Sequence, residues 1–417
     1  MTREVTARSV DAVIIGGGVA GCAAAARLAR AGFEVLVLER ETAYRDQVRG
    51  EGLVNWGYRE AADMGLGQAI LGAEDASPIT RLVNYDETWS AEAARERATD
   101  LSAALPGTPG IIGVGHAGLR ESLATEAVTA GAAVLRGIHV DAITTGSAPS
   151  VTYTSAGHSH TVTARLVIAA DGKNSATRRL LDIPMYVTRP RVMLSGLAVH
   201  DGGAWDRAET VIGVEGRTLF YVIPRGLGRV RLYVGRVIDD PERFTGSGRE
   251  QRLLDCFRLK SLPNADVLAD ARPAGPCASF PMTDSWTEAP LLPGVALLGD
   301  AAGWSNPVTG QGLAVALRDA RVLTDLLLEV TDWSVTRLSG YAAERATRMA
   351  RLRFTSAITD LLTAFGAPDR AARRSRMGRM LAKAPELGAA FAAVHAGPWA
   401  VPAGGFSPDI LTTLALA

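Results

Sequence analysis

The chain has 417 residues, of which 47% are hydrophobic and 21% are charged, and this composition is typical of a folded globular protein rather than of a disordered or fibrous one. Its 44 basic and 44 acidic side chains balance. No long-range field therefore attracts nucleic acid or an anionic membrane, and neither is expected as a partner. Arginine carries almost all the positive charge, because the sequence has only three lysines, Lys173, Lys260 and Lys383.

The cysteines and the apolar runs limit the class of protein further. Cys22, Cys256 and Cys277 lie far apart and form no CxxC pair, which argues against a disulfide framework and a zinc site. We therefore expect no metal and a location in the reducing cytoplasm. The first apolar run, 10–15, is too short for a membrane span. Prolines and glycines break the uncharged stretch 387–407, where we expect a helix end followed by a loop.

The first elements in chain order are a strand at 12–15, a glycine-rich turn at 16–21, a helix at 22–30 and a strand at 33–38. Such a unit buries its strands on both faces and belongs to a parallel sheet covered by helices. Further helices are predicted at 60–72 and at 116–129, the second of which ends near Gly131.

Strands and then helices follow. Short strands are predicted at 132–135, 140–143, 151–154 and 161–168, and we expect a β-meander beside the first unit. Between about 181 and 285, strand-length apolar runs such as 218–223 and 230–234 predict a second, sheet-based domain. A buried strand at 295–298 precedes a helix at 311–330, and the chain beyond 332 is mostly helical.

The turn after the first strand has the sequence GxGxxG. Gly16 permits a tight turn, Gly18 lets the backbone approach a pyrophosphate, and Gly21 lets the helix pack against the sheet. Glu39 ends the second strand, where a carboxylate accepts both hydroxyls of an adenosine ribose, which favours FAD or NAD over a 2′-phosphate. The alternative is a structural glycine turn with a surface glutamate. The nucleotide-binding candidates are Gly16, Gly18, Ala20, Gly21, Glu39 and Arg40.

Two further motifs help to distinguish FAD from NAD as the cofactor. A strand ends in Asp171-Gly172 and continues to Ser175 and Arg178, and a later strand ends in Gly299-Asp300 before the loop 306–312. With these motifs the chain resembles the class A flavoprotein monooxygenases of the para-hydroxybenzoate hydroxylase type, whose fingerprints are GxGxxG, a central DG and a late GD. The resemblance implies FAD and an α/β fold, with a Rossmann-like FAD-binding domain, an interleaved β-sheet substrate domain and C-terminal helices.

The resemblance also suggests domain boundaries. The FAD-binding domain is expected in three parts, 1–75, 111–180 and 289–332. Substrate-domain segments are expected at 76–110 and 181–288, and the helical region at 333–417.

Several residues gain expected roles from the resemblance. Asp300, just after a buried strand, is placed to hold the FAD ribitol, with a helix cap as the alternative. The helix that begins near Gln311 directs its dipole at the flavin, which stabilises an anionic reduced flavin by about 1 kcal/mol. In the family, the proline at position 307 faces the reaction cavity. The expected contacts of this loop are Pro307, Gly310, Gly312 and Leu313.

Other candidates keep two readings. Asp171 is implied to serve FAD phosphate and NAD(P)H, or it caps the following helix. Arg49 is implied to lie near the FAD phosphates, while Glu51 either pairs with an arginine or takes part in catalysis. His116 stands where the family helix usually begins with Arg or Gln, so it contacts FAD or is an ordinary core or surface histidine. Because histidine titrates near neutrality, a contact would make FAD affinity pH-dependent. Trp304 replaces a histidine that commonly follows the late GD.

The implied chemistry needs no nucleophile or metal. Reduced flavin and dioxygen give a C4a-hydroperoxide, and the protein supplies orientation and dryness. The substrate cavity is expected between the flavin and the sheet of 181–285. Pro307, Tyr221 and Arg225 are the catalytic candidates, and Tyr233 and His200 are further candidates to orient or deprotonate a phenol. Strand alternation leaves open which face of the sheet is inward.

The expected function is that of an NAD(P)H-consuming monooxygenase acting on an aromatic or polycyclic small molecule, in secondary metabolism. Hydroxylation, epoxidation and Baeyer–Villiger oxidation stay open, as do NADH or NADPH and a monomer or homodimer. Asn306-Pro307 and Arg49-Gly50-Glu51 also resemble a prenyl reductase. A flavin-dependent halogenase is disfavoured, because Leu219 and Tyr221 replace its two tryptophans and no lysine precedes Lys173. A non-enzymatic flavin- or drug-binding protein is the remaining alternative.

Overall fold

The computed structural model describes residues 8–87, 89–201 and 203–416. Its strands in chain order are β1 (Arg8–Ile15), β2 (Val35–Glu39), β3 (Gly52–Leu53), β4 (Ser77–Ile79), β5 (Arg81–Asp86), β6 (Thr99–Asp100), β7 (Ile111–Gly113), β8 (Ala133–Arg136), β9 (His139–Thr144), β10 (Ser150–Ser155), β11 (His158–Ala169), β12 (Tyr186–Val187), β13 (Val192–His200), β14 (Glu209–Glu215), β15 (Thr218–Pro224), β16 (Arg229–Val237), β17 (Arg272–Pro281), β18 (Ser285–Trp286), β19 (Leu291–Leu292) and β20 (Val295–Leu297).

The α-helices in chain order are α1 (Val19–Arg30), α2 (Asn55–Asp63), α3 (Gly67–Leu71), α4 (Ala91–Glu96), α5 (His116–Thr129), α6 (Ala176–Leu180), α7 (Arg249–Asp255), α8 (Ala265–Ala269), α9 (Gly312–Glu329), α10 (Val335–Thr363), α11 (Arg370–Lys383), α12 (Ala392–Ala396) and α13 (Pro408–Ala415). Short 3₁₀ turns occupy Gly299–Ala301, Pro307–Thr309, Pro385–Phe391 and Ala403–Phe406.

The first sheet has the strand order β19-β20-β11-β1-β2-β8, and its central strands run parallel. Its strands are apolar on both faces, as parallel sheets require. Alternate residues such as Ile14 pack against the helices α1, α5 and α9, while Val13 and Ile15 pack on the other face with the β9–β10 hairpin. The predicted α/β class is therefore confirmed.

The second sheet has the order β17-β13-β16-β15-β14-β5-β6 and is antiparallel except for the β14–β5 pair. Phe220 and Val222 on β15 face a core formed with α7 and α8. Tyr221 and Ile223, on the opposite face of the same strand, line a cavity. The structure thus settles which side of the sheet is inward, which alternation alone leaves open.

Two predicted elements differ from the structure. The helix expected at 60–72 is two helices, α2 and α3, because Gly65 at φ +74° ends the first. The strand expected at 132–135 is β8, which pairs parallel to β2, so the meander consists of β9, β10 and β11. The domain boundaries remain predictions.

The C-terminal region packs against α9 and closes one side of the molecule. α10 packs antiparallel to α9. α11, α12 and α13 surround the second half of α10 through a small core centred on Ile358, Ala390 and Leu414. The helix end and loop expected in the stretch 387–407 correspond to α12, which ends at Ala396, and to residues 397–402, which lie in no helix; a 3₁₀ turn then follows at Ala403–Phe406. No helix within the described residues is long and apolar enough to cross a bilayer.

Candidate active site

A cavity of about 1030 Å³ lies between the two sheets and the C-terminal helices. Its wall is built from the segment after β2, the inward face of the second sheet, the loop between β20 and α9, and parts of the C-terminal region. Most of the sheet side is apolar, with Leu194, Ile212 and Ile223 among its residues. A cavity of this size and character is suited to a small-molecule ligand.

The glycine turn between β1 and α1 is shaped by close backbone approaches. Gly16 has φ +103°, and a Cβ there would lie 2.5 Å from the carbonyl oxygen of Ala170. A Cβ on Gly21 would lie 2.0 Å from the carbonyl oxygen of Gly16. A Cβ on Gly18 would meet its nearest neighbour at 4.0 Å, so this side of the turn is open. Among the described residues no side chain caps α1, so its N–H groups, including that of buried Ala20, remain for an anion.

Glu39, at the end of β2, fixes the glycine turn through hydrogen bonds. It is 5% exposed, and its carboxylate accepts hydrogen bonds from the N–H groups of Gly17 and Glu41, each at 2.7 Å. Arg120 of α5, which the sequence did not suggest, lies 3.4 Å from the same carboxylate. A carboxylate offers about four acceptor sites, so Glu39 retains capacity for hydroxyl donors. Arg40 is exposed at the end of the strand.

Asp300 faces the cavity from the loop after β20. Within the described part of the chain its carboxylate accepts no hydrogen bond. Burial raises the pKa of Asp300, and the nearby cations of Arg49 and Lys173 act in the opposite direction. Because its oxygens are uncommitted and face the cavity, Asp300 is placed to accept hydrogen bonds from a polyol.

A buried ion pair behind Asp300 holds its loop, and the sequence analysis missed it. Asp319 of α9 accepts the Gly299 N–H at 2.7 Å and the Arg345 Nε at 2.9 Å. Arg345 of α10 also donates to the carbonyls of Ala302 at 3.1 Å and Gly303 at 2.8 Å. Burial raises the pKa of Asp319, but the guanidiniums of α10 outweigh it and hold that pKa below its ordinary value. The sequence feature that could have indicated this ion pair is Asp319 itself, a charged residue on the apolar face of α9.

The DG segment is tied to the same loop. One oxygen of Asp171 accepts the backbone N–H of Thr177 at 2.9 Å and its hydroxyl at 3.0 Å, so Asp171 binds the first turn of α6, whose N-cap residue is Ser175. Its other oxygen is buried and has no partner among the described residues. Arg178 donates to the carbonyls of Ala301 at 2.7 Å and Asp300 at 3.2 Å. Arg178, which belongs to the DG motif, therefore holds the loop that carries the late GD motif, Gly299-Asp300.

His116 begins α5, a helix that no side chain caps. Its Nδ1 is buried and lacks a partner in the described part of the chain. Burial, followed by the charges of Arg120 and Arg49, lowers the pKa of His116 to about 3. The imidazole is therefore neutral near physiological pH, which argues against the pH-dependent cofactor affinity expected from the sequence.

Arg225 lies in a buried charge network and not on the cavity wall. Its Nε donates to Asp75 at 2.9 Å and its Nη1 to Glu51 at 2.8 Å. Glu51 also accepts the Nε of Arg231 at 2.9 Å. Both nitrogen edges of Arg225 are thus bound by carboxylates, so the geometry does not fit the catalytic contact predicted for it. Glu51 follows the first of its two predicted readings, that of an acid paired with arginines. Arg49 is exposed at the cavity.

The other three predicted substrate contacts differ in their positions relative to the cavity. Tyr221 lines the cavity, and its buried hydroxyl has no partner among the described residues. Tyr233 also lines the cavity, but its hydroxyl donates to the carbonyl of Arg49. His200 lies at the end of β13, where its Nδ1 is 3.3 Å from the carbonyl oxygen of Gly228, outside this cavity.

The loop before α9 forms the wall opposite the sheet. Pro307, Gly310, Gly312 and Leu313 all line the cavity, and Gly310 adopts φ +67°. No side chain caps α9, so its N-terminal N–H groups remain for a ligand. Trp304 donates to Thr283 Oγ1 at 3.1 Å, and the ammonium of Lys173 lies 4.6 Å from its ring centroid.

The comparisons with known proteins agree with this geometry. Residues 9–355 match the family model described as an FAD binding domain. This chain belongs to that family. The resemblance to the class A flavoprotein monooxygenases is confirmed, and so is the prediction of an FAD-dependent enzyme of the monooxygenase family.

Three known proteins show what this flavoprotein is similar to in sequence or in fold. It is 26% identical over 337 residues to a menaquinone reductase from Mycolicibacterium smegmatis, covering 78% of both chains. Its fold matches p-nitrophenol 4-monooxygenase from Pseudomonas putida DLL-E4 with a TM-score of 0.76 at 17% identity, over 98% of this chain and 99% of that one. It also matches aklavinone-11 hydroxylase in complex with FAD and aklavinone with a TM-score of 0.70 at 20% identity, over 85% and 69% of the two chains.

The residues of this flavoprotein fit FAD. The glycine turn and the uncapped end of α1 suit the pyrophosphate, and Glu39 suits the ribose. Asp300 suits the ribitol, while the uncapped end of α9 suits the electron-rich edge of the flavin. Buried polar atoms without partners in the described chain, on His116, Asp171 and Thr309, lie on other segments for which the sequence predicts FAD contacts. These assignments to individual residues remain predictions, whereas FAD itself is confirmed as the cofactor of the family.

Proposed function

We propose that this flavoprotein is an NAD(P)H-consuming monooxygenase that hydroxylates an aromatic or polycyclic small molecule of secondary metabolism. The observation that carries the proposal is one continuous cavity whose wall includes Asp300, the Pro307–Leu313 loop and Tyr221, a tyrosine whose hydroxyl has no partner among the described residues. The names of two structural neighbours, a nitrophenol monooxygenase and an aklavinone hydroxylase, support the aromatic class.

The binding roles follow from the geometry. When bound, FAD supplies the hydride acceptance and dioxygen activation that no protein side chain provides. The glycine turn, Glu39 and Asp300 hold its nucleotide and ribitol parts, and the N-terminal N–H groups of α9 stabilise negative charge at the flavin. The apolar sheet face excludes water from the reacting atoms.

Tyr221 orients the substrate. Burial, followed by the charge of Asp360, raises the pKa of Tyr221, so the hydroxyl stays protonated. It therefore donates a hydrogen bond to an oxygen of the substrate and, by doing so, aligns the ring against the Pro307 wall. Arg225 has no direct part in this step, because its charge is used to hold Glu51 and Asp75.

NAD(P)H docks transiently in this proposal. The sequence has only one GxGxxG that follows a strand, so a second complete dinucleotide fold is not expected. Lys173 and Arg49, which carry positive charge at the cavity, are suited to a phosphate of the nicotinamide cofactor while it reduces the flavin.

A reductase of the prenyl-reductase type is the second candidate. The menaquinone reductase relative, matched over 78% of this chain, favours it, and the apolar wall suits a long hydrocarbon equally well. In that reaction the flavin would deliver a hydride to the substrate, and dioxygen would not be consumed.

The decisive experiment is to purify the protein, record its visible spectrum, and follow NADH and NADPH oxidation together with dioxygen uptake. The substrates are a panel of polycyclic phenols, with menadione as the quinone probe. Dioxygen uptake with a product heavier by one oxygen atom supports the proposal. Substrate reduction without dioxygen uptake supports the reductase, and a chlorinated product in the presence of chloride supports a halogenase. Flavin without NAD(P)H turnover supports a binding protein, and a protein that cannot be reconstituted with FAD refutes every flavin reading.

Two variants test the assigned cofactor contacts. Asp300→Ala and Glu39→Ala should each lose FAD during gel filtration, because a hydrogen bond to a charged group is worth about 1.5–3 kcal/mol. Asp266→Ala, an exposed residue on α8, is the control. Full flavin occupancy in both test variants contradicts the roles given to these two carboxylates.

A further inference from the structure

The short helix α12 forms one wall of the cavity, next to the loop that precedes α9. His395 of α12 lines the cavity, and its Nδ1 is buried with no partner in the described part of the chain. No sequence motif drew attention to it, and the residues before it, Phe391, Ala392 and Val394, line the same wall. His395 is therefore a polar side chain on an otherwise apolar part of the cavity wall, and one of its ring nitrogens has no partner among the described residues.

The backbone around His395 is fixed on both sides. Gln311 Nε2 donates to the carbonyl of Val394 at 3.2 Å, and Gln311 itself accepts the Trp56 Nε1 at 2.8 Å. Arg351 donates to the carbonyl of Pro398 at 2.9 Å. Because these contacts hold the chain before and after it, the imidazole is preorganised beside the loop that faces the flavin.

The environment determines which ligand group suits this imidazole. Burial lowers the pKa of His395 to about 4, so the ring is neutral near pH 7. Of the other ionisable groups that line the cavity, Arg374 pairs with Asp86 and Glu51 with Arg231. Arg49 and Lys173 act on Asp300, where FAD is proposed to bind. A neutral ring in an apolar wall does not compensate a carboxylate, whose burial without a counter-ion is costly. It does satisfy a hydroxyl or a carbonyl, with the tautomer adjusting to the partner.

We propose that His395 is a substrate-binding residue, which hydrogen-bonds a neutral hydroxyl or carbonyl oxygen of the substrate and makes α12 a determinant of specificity. The inference rests on the proposed function, because that function places the substrate in this cavity. Tyr221 on the sheet and His395 on α12 then supply two polar contacts from two different walls. A suitable substrate is consequently an uncharged ring system that carries oxygen substituents.

Binding to the FAD-loaded protein tests this inference without turnover. The probes are 2-naphthol, naphthalene and 2-naphthoate, measured by equilibrium dialysis at about pH 7.5, where the naphthol is neutral and the naphthoate is ionised. We expect the wild-type protein to bind 2-naphthol about tenfold more tightly than naphthalene, and to bind 2-naphthoate least, because one hydrogen bond in a dry site is worth roughly that factor.

Variants of His395 separate a ligand contact from a structural role. His395→Phe should weaken 2-naphthol binding by about the factor of one hydrogen bond, up to about tenfold, and leave naphthalene and FAD binding unchanged. His395→Gln, which keeps a hydrogen-bonding group, should recover part of the preference. His139→Phe on β9, an exposed histidine, is the matched control and should behave as wild type.

The outcomes that overturn the inference are distinct. An unchanged naphthol preference in His395→Phe, or an equal loss for naphthol and naphthalene, shows that His395 does not contact the substrate oxygen. Preference of the wild type for 2-naphthoate, or binding of none of the three probes, refutes the neutral-oxygen class. Failure of the proposed function is seen separately, as absence of FAD or of NAD(P)H oxidation in the wild-type protein.

Discussion

Replacing Asp319 by Asn should destabilise both the fold and the loop that carries Asp300. Asp319 is fully buried and neutralises Arg345 and Arg348, which are also buried. Removing one charge from a buried ion pair costs about 3–5 kcal/mol, because the remaining charge has no compensation. A native protein is stable by about 5–15 kcal/mol, so we expect Asp319→Asn to lose roughly a fifth or more of the total.

The assay is urea unfolding of the FAD-loaded and FAD-free proteins, with flavin release followed in the same titration. The matched control is Asp325→Asn on the same helix, since Asp325 pairs with Arg27 and Arg321 near the surface, where its side chain is 32% exposed. An exposed pair contributes about 0–1 kcal/mol, so the control should change little. The reasoning is refuted if Asp319→Asn loses no more stability than the control.

The pH dependence of the same pair gives a second readout. The folded-state pKa of Asp319 lies below its ordinary value of 3.8. An acid with a depressed folded pKa stabilises the protein above its unfolded pKa, and that stability is lost as the pH falls through the folded value. The wild type should therefore lose its higher free energy of unfolding relative to Asp319→Asn in acid below about pH 4. A difference in unfolding free energy that persists unchanged there contradicts the pairing.

Three further results are expected. Gly16→Ala should abolish FAD retention, measured by the flavin-to-protein absorbance ratio, because its Cβ would lie 2.5 Å from a carbonyl oxygen; Gly378→Ala, with open space around it, is the control. Tyr221→Phe should not lower the urea midpoint, because the hydroxyl has no partner among the described residues, but should reduce product formed per NAD(P)H; a lower midpoint contradicts this. His116→Asn should flatten the loss of stability between pH 6.5 and about 3, where the unfolded chain takes up the proton first, at up to about 1.4 kcal/mol per pH unit; identical slopes contradict the buried neutral histidine.

The sequence predicted those parts of the site whose residues lie close together in the chain. The GxGxxG turn and its helix share one short segment, and Glu39 follows at the end of the next strand, so their geometry is largely local. The loop from Pro307 to Leu313 was found for the same reason. The confirmed helix at 116–129 likewise depends on local periodicity and a glycine stop.

The rest depended on partners that only the fold brings together. The sequence predicts a substrate contact for Arg225, because nothing in its own strand shows that Glu51, 174 positions away, binds its guanidinium. The pair of Asp319 and Arg345 joins two helices across 26 positions, and its polar atoms sit inside an apolar pattern. His395 was passed over because an apolar stretch with glycines and prolines predicts a loop rather than a cavity wall.

Strand β16 carries two contacts to the segment 49–51, which lines the cavity. Arg231 binds Glu51, and Tyr233 donates to the carbonyl of Arg49, so a single strand of the second sheet holds the Arg49–Glu51 segment in place. The two functional halves are consequently not interchangeable parts. Grafting the sheet of a relative onto this chain, to obtain a new substrate range, would remove the supports of that segment unless residues 46–51 were transplanted along with it.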